Sequence, residues 1–157
     1  MSLILDYGYD RMKATMLTMK LTEKDLPINP LMLVSEKYDV DIIYDNLEGE
    51  EGYTFYDPKR NRYRICIDNK YVKGRCNFTI AHEVGHIILG HFHNYNLDEK
   101  KTHALLDKHA NAFASALLMP EHILTKFDYS SSIHSTAKIF GVSIEALTIR
   151  VNYINAV

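Results

Sequence analysis

The feature that most limits what this chain can fold into is the run Phe78-Thr79-Ile80-Ala81-His82-Glu83-Val84-Gly85-His86-Ile87-Ile88-Leu89-Gly90-His91. It contains a His-Glu-x-x-His pattern whose gaps are filled by apolar or small residues. On a helix of 3.6 residues per turn, positions four apart stand one above the other. His82 and His86 therefore project from one face and can grip a single zinc ion. Glu83 lies about 100° further round. That offset leaves its carboxylate free to reach a water on the metal, as the general base of a zinc peptidase does, instead of serving as a ligand. Ile80, Val84, Ile87 and Ile88 give the same segment an apolar surface suited to a core, with the histidines as its polar stripe. The competing reading is a buried helix whose two histidines are ordinary core or surface residues.

The chain has 157 residues, 46% hydrophobic and 24% charged, which predicts one domain with a proper core and no room for a second. A formal net charge of -2 provides no overall electrostatic footprint for nucleic acid or an anionic membrane. Cys66 and Cys76 make no disulfide framework and have no metal-ligand spacing around them, so both read as reduced cysteines of a cytoplasmic protein. The start, Met1-Ser2-Leu3-Ile4-Leu5-Asp6-Tyr7, lacks the charged region and long apolar run of a secretion signal, and nothing in the sequence is long and apolar enough to cross a membrane.

Loosely helical spacing of Leu, Tyr and Met from about Leu5 to Met19 predicts a helix that packs across the domain or against a partner, ending before Pro27. Asn29-Pro30 reads as a cap followed by proline at the first helical position, so a short helix is expected over Leu31 to Tyr38. Val40 to Tyr44, Gly52 to Tyr56 and Tyr63 to Ile67 read as strands, the last two joined by Asp57-Pro58-Lys59-Arg60-Asn61. The histidine helix is expected from Asn77 to about His91, with Leu97 to Lys101 as a polar connector. A second long helix follows from Lys101 to Met119, with an apolar stripe of Leu106, Ala110, Phe113 and Leu117 and Pro120 as its stop. Shorter helical pieces are expected over Pro120 to Lys126, Ile133 to Phe140 and Ser143 to Asn155. The fold class is α+β: a small zincin-like domain with a short, mostly antiparallel sheet of about three strands packed on the two long helices. Residues 1–28 form an N-terminal segment, 29–126 the catalytic core and 127–157 a helical tail.

Catalytic zinc takes three protein ligands and keeps a position open. The extended pattern His-Glu-x-x-His-x-x-Gly-x-x-His, with a third histidine six residues beyond the second, is excluded, since Leu89 and Phe92 hold the diagnostic places. The third ligand must then come from a later helix, where Asp107 and Asn111 lie four apart on one flank of the apolar stripe and Ala110 permits close approach. A carboxylate ligand followed one turn later by an amide that bonds a ligand imidazole makes a sensible inner and outer pair. The alternative is that both are solvated helix residues.

At this point the sequence resembles the ImmA/IrrE-type zinc metallopeptidases. The resemblance rests on Phe78-Thr79-Ile80-Ala81-His82-Glu83-Val84-Gly85-His86, then Ala110-Asn111-Ala112-Phe113-Ala114 and Leu117-Leu118-Met119-Pro120. It covers roughly residues 29–155. In that family the third ligand is usually a glutamate three places before the alanine of the Ala-Asn pair, a place held here by Asp107, one methylene shorter. His109 stands where an acidic residue is common and is the alternative third ligand.

The resemblance implies a Zn2+-dependent peptidase acting inside the cell on one regulatory protein, such as a helix-turn-helix repressor of a mobile element or stress response. Zinc on His82, His86 and Asp107 would acidify its water, and Glu83 would accept the proton and return it to the leaving amine. Oxyanion donors are too numerous to choose among: His91, His93, His103 and several of the eleven tyrosines, with His91 favoured by its place at the helix end. The strand from Tyr63 to Asp68 is expected near the sheet edge that receives the peptide. Residues 133–151 read as helix, Gly-Val-Ser turn and helix. That raises a second class, a zinc-binding regulator that cuts nothing and binds a repressor or DNA through these helices. Arg150 is the only basic residue of the second helix, which weighs against DNA.

Overall fold

The computed structural model describes residues 7–71, 73–92 and 100–156. Helix α1 (Gly8–Thr18) is followed by a 3-10 turn at Glu23–Asp25 and strands β1 (Val40–Asp45), β2 (Gly52–Asp57) and β3 (Arg62–Asp68). Then come α2 (Lys73–Ile88), α3 (Lys100–Leu118), α4 (Glu121–Leu124), α5 (Ile133–Phe140) and α6 (Ile144–Ala156). The fold is α+β, as the sequence predicts.

The sheet has three strands in the order β1-β3-β2. It is evenly mixed instead of mostly antiparallel: β1 runs parallel to β3, with Ile42 opposite Ile65, and β2 runs antiparallel to it, with Thr54 opposite Ile65. The β2–β3 hairpin follows from its loop chemistry. Asp57 Oδ1 accepts the main-chain N–H groups of Lys59 and Arg60 at 3.0 and 3.2 Å, and its other oxygen accepts from the Arg60 guanidinium at 2.9 Å. Asn61 takes the left-handed conformation, φ 50°, that closes the turn. β3 is consequently central, paired on both sides, so the expectation that Tyr63 to Asp68 forms an edge is corrected. The free edge nearest the histidine helix is β2.

Two other expectations change. Residues 31–37 form successive turns instead of a helix, although Asn29 Oδ1 does accept the Leu31 N–H at 3.1 Å. A segment of about eight residues gains too few i→i+4 bonds to offset helix nucleation, and here only Tyr38 N–H to Val34 C=O closes one. Helix α2 begins at Lys73, one turn before Asn77. His93 and most of the connector at Leu97 to Lys101 lie outside the described residues.

One apolar cluster joins every layer: Ile65 and Ile67 of β3, Ile80 and Val84 of α2, Phe113 and Leu117 of α3, and Phe140 and Leu147 of the tail, all buried. Helices α2 and α3 cross at Gly85 and Ala110. A Cβ on Gly85 would stand 3.0 Å from the Phe113 ring and 3.3 Å from the Ala110 carbonyl oxygen, so hydrogen is the only substituent the contact admits without movement. Helix α1 docks on α3 with a nearly polar stripe, Asp10, Ala14 and Thr18. Ala14 buries far less than the side chains worth about 1.5–3 kcal/mol. The bond of Asp10 Oδ2 to His109 Nδ1 at 2.5 Å is therefore the larger contribution, about 1.5–3 kcal/mol for a bond of this charge-assisted type.

Gly85→Val should force α2 and α3 apart. The expected outcome is a loss of about 1–3 kcal/mol of stability in urea titrations, the usual cost of overpacking, with zinc affinity weakened at least tenfold in competition with a chromogenic chelator. Unchanged zinc affinity would mean that helix spacing does not set the metal site.

Candidate metal centre

One turn apart on α2, the His82 and His86 rings stand with centroids 4.7 Å apart and their Nε2 atoms 3.0 Å apart. Asp107 reaches across from α3 to place Oδ1 3.3 Å from His82 Nε2 and 3.2 Å from His86 Nε2. The three atoms form a triangle with sides of 3.0 to 3.3 Å. Tetrahedral zinc with bonds of about 2.0–2.1 Å sets its ligands about 3.3–3.4 Å apart. The triangle has the size of one face of such a site, and the ligand types suit zinc.

The outer partners point the same way. His82 Nδ1 donates to Asn111 Oδ1 at 2.7 Å, which leaves a lone pair on Nε2 directed at the triangle. His86 Nδ1 meets His91 Nδ1 at 2.7 Å. With His86 as donor, its Nε2 also presents a lone pair. Burial first, then the neighbouring His86, pushes the His91 pKa down to about 3, so His91 is a neutral ring able to accept that bond. Two lone pairs and a carboxylate oxygen then converge on one point, an arrangement that a cation stabilises and nothing else in the cluster does. Without metal, hydrogen bonds from His82 and His86 hold the Asp107 carboxyl well below the usual carboxylate range. Burial works against charge on His82, but Asp107, Glu83 and Asn111 together outweigh it and raise its pKa.

Local backbone explains why His91 is available. Gly90 takes φ 70°, so the main-chain N–H of His91 returns to the His86 carbonyl at 3.0 Å and that of Gly90 to Ile87 at 3.2 Å. This left-handed cap ends α2 and folds the next side chain back beneath its last turn. His91 is 4% exposed.

Glu83 is 6% exposed, and Thr54 Oγ1 donates to its Oε2 at 2.5 Å from β2. The carboxylate lines a cleft of about 430 Å3 together with Thr54, His86, His91, His103 and Asp107. One oxygen is held by Thr54 and the other remains for a water. Sequence reasoning missed Thr54, because only the β2 register brings it to a helix residue so far along the chain.

His109 is not part of the cluster. It lies two residues, about 200°, round α3 from Asp107, and it packs edge-on against Tyr7 at 5.0 Å while bonded to Asp10. The structure therefore places the alternative third ligand, His109, against α1 and away from the His82–His86–Asp107 group. Arg150, the basic residue of α6, is 4% exposed, with Nε donating to the Met119 carbonyl at 3.1 Å.

A His-Glu-x-x-His helix on a three-stranded sheet, met by an acidic residue from the next helix, defines a zincin-like metallopeptidase domain. The family model for the IrrE N-terminal-like domain, a peptidase family, matches residues 35–152. The chain belongs to that family, and α1 falls outside the match. Among solved structures, a Mycobacterium tuberculosis transcriptional regulator is similar with a TM-score of 0.62 at 16% identity, over 88% of this chain and 44% of that one. The chain thus spans less than half the length of that protein, and the likeness is one of fold. No curated protein matches the sequence. No helix among the described residues is long and apolar enough to cross a membrane.

Asp107→Ala should lower zinc content and weaken affinity by at least tenfold, whereas His109→Ala should leave zinc binding within about threefold. Metal analysis after dialysis against a chelator distinguishes the two. Both imidazoles must be neutral to bind, so affinity falls with pH by about tenfold per unit for each proton displaced. Because His82 is raised, that fall begins above the ordinary histidine pKa of 6.5, while Asp107 stays ionised throughout. Affinity independent of pH between 8 and 5 would rule out the imidazole pair as ligands.

Proposed function

We propose that the protein is a zinc-dependent endopeptidase of the cytoplasm that cuts a regulatory protein, a helix-turn-helix repressor being the class the family resemblance favours. The single observation that carries the reading is the convergence of His82, His86 and Asp107 on one point beside Glu83, in a cleft open to solvent. His82, His86 and Asp107 would hold the ion, with Asn111 and His91 fixing the two rings. The chemistry a bound zinc ion supplies is Lewis acidity, which activates a water and polarises the scissile carbonyl.

Glu83 is the base. As the water oxygen bonds to the carbonyl carbon, one water proton passes to the Glu83 oxygen that Thr54 leaves free. The same proton goes to the amide nitrogen as the C–N bond breaks, so Glu83 ends unprotonated and ready to repeat. Thr54 restricts the carboxylate to one rotamer, which keeps the proton acceptor where it is needed. The residue that steadies the oxyanion is sought among the cleft residues, where His103 lies one turn before Asp107 on α3.

Strand β2 carries the binding half of the reading. Its outer edge presents unpaired main-chain groups among the described residues, and Gly52, Tyr53 and Thr54 line the cleft beside Glu83. An extended segment of substrate added there would pass its main chain over the metal site, with the exposed rings of Tyr53 and Phe55 beside it. The structurally similar M. tuberculosis protein is a transcriptional regulator, which agrees with a role in gene control without naming a target. Burial of Arg150 weighs against the reading in which the tail binds DNA directly.

Incubating the purified protein with helix-turn-helix repressors encoded beside its gene tests the proposal. The unmutated chain should cut one of them, and Glu83→Gln should bind zinc equally while cutting about 10²–10⁴-fold more slowly, the range for losing a general base. Thr54→Val should retain zinc and lose a smaller part of the rate. Equal, absent cutting by both zinc-loaded proteins would leave a binding module instead of an enzyme.

A further inference from the structure

A groove of about 890 Å3 lies between α1, α3 and α6, on the other side of Asn111 from the metal centre. It continues the catalytic cleft: Glu51 lines both, and Asn111, which holds His82, forms part of the groove wall. Its charge differs from that of the chain. Arg11, Lys108 and Arg150 face Glu51 and Glu145, three cations to two carboxylates, in a protein of formal net charge -2.

Two of those cations are unusually placed. The Arg11 guanidinium lies 3.6 Å from the centre of the Tyr153 ring and that of Arg150 lies 5.7 Å from it, so one aromatic ring holds both. Arg150 is 4% exposed yet lines the groove, and its Nε donates to the Met119 carbonyl. Neither arginine has a carboxylate in an ion pair among the described residues. A cation so far out of water is costly unless an anion joins it. Burial above all, opposed by Glu121 and reinforced by Arg11, lowers the Arg150 pKa.

We propose that this groove is a subsite for the substrate chain, in which Arg11 and Arg150 receive an acidic side chain of the protein being cut. The inference rests on the peptidase reading and adds a specificity to it. Guanidinium groups pair with carboxylates through two parallel N–H···O bonds, and Arg11, partly exposed on the Tyr153 ring with Arg150 beside it, can offer such a fork. Arg11 belongs to α1, outside residues 35–152 that match the family model, so the preference belongs to this chain and is not a property of the shared core. A substrate strand leaving β2 past Glu51 enters the groove directly. The arginines therefore select an acid on one side of the scissile bond only.

The test uses the zinc-loaded full chain carrying Glu83→Gln, immobilised and exposed to a random decapeptide mixture, with captured peptides identified by mass spectrometry. Peptides bearing Asp or Glu should be recovered about tenfold over those bearing Asn or Gln. Arg11→Gln should abolish the difference and Arg11→Lys should retain part of it. Arg11 is half-exposed on α1, so its variants should melt with the parent; Arg150→Lys serves as the second variant. Equal recovery of acids and amides, or capture of no peptide, overturns the proposal. So does binding of millimolar succinate or inorganic phosphate by the protein without any acidic preference among peptides, which would make this a site for a free anion. Since the captured protein cannot cut, the outcome is independent of whether the unmutated chain cleaves anything. Where it does cleave, the acid should fall at a fixed distance on one side of the cut.

Discussion

Everything at the metal centre depends on how closely two helices approach at Gly85 and Ala110. The imidazole pair is carried by α2 alone, but the third member of the triangle must cross from α3, and aspartate is a short arm. Removing all side-chain bulk at the crossing lets the Asp107 oxygen reach 3.2 to 3.3 Å from both ring nitrogens. The shorter arm of aspartate thus does not leave the triangle open. The same contact packs Phe113 against α2, so core and site share one interface, and strain in either is felt by the other.

Around that crossing each functional group is held by a different part of the fold. Asn111 sits on α3 itself and fixes His82. His91 reaches His86 only because Gly90 turns the chain left-handed at the end of α2. Glu83 is restrained from the sheet, through Thr54 on the edge strand. The His82–His86–Asp107 triangle, Glu83 and Thr54 therefore come from α2, α3 and the edge strand β2, and the cluster exists only when all three layers are assembled.

The sequence made the helices legible because their signals are local. His82 and His86 at a spacing of four, the apolar stripe of α3, Pro120 as a stop and Gly141 as a cap can each be read within two turns of chain. What could not be read was anything decided between distant segments. Periodicity identifies β3 as a buried strand but does not say that β2 and β1 flank it, so the edge was misplaced. By chemistry alone either Asp107 or His109 could be a ligand, and the sequence favours Asp107. What separates them is the angle round α3 and the arrival of Asp10 from α1, nearly a hundred residues away. Thr54 and the Arg11–Tyr153–Arg150 group are invisible for the same reason. The turns at 31–37 failed for a different one, since their capping signal is real but the segment is too short to propagate a helix.

Helix α1 is the part of the fold most at odds with a purely structural role. An N-terminal helix meant only to cover α3 would turn an apolar stripe inward, yet this one buries Asp10 against His109 and leaves Met12, Met16 and Met19 exposed. Its polar inner face does two things that an apolar one could not. Asp10 holds His109 on the opposite flank of α3 from the His82–His86–Asp107 triangle. One residue on, Arg11 extends to Tyr153 and joins the tail to the same wall. By placing an acid and a base at successive positions, a short stretch outside the family core both holds His109 away from the triangle and shapes the groove beside it.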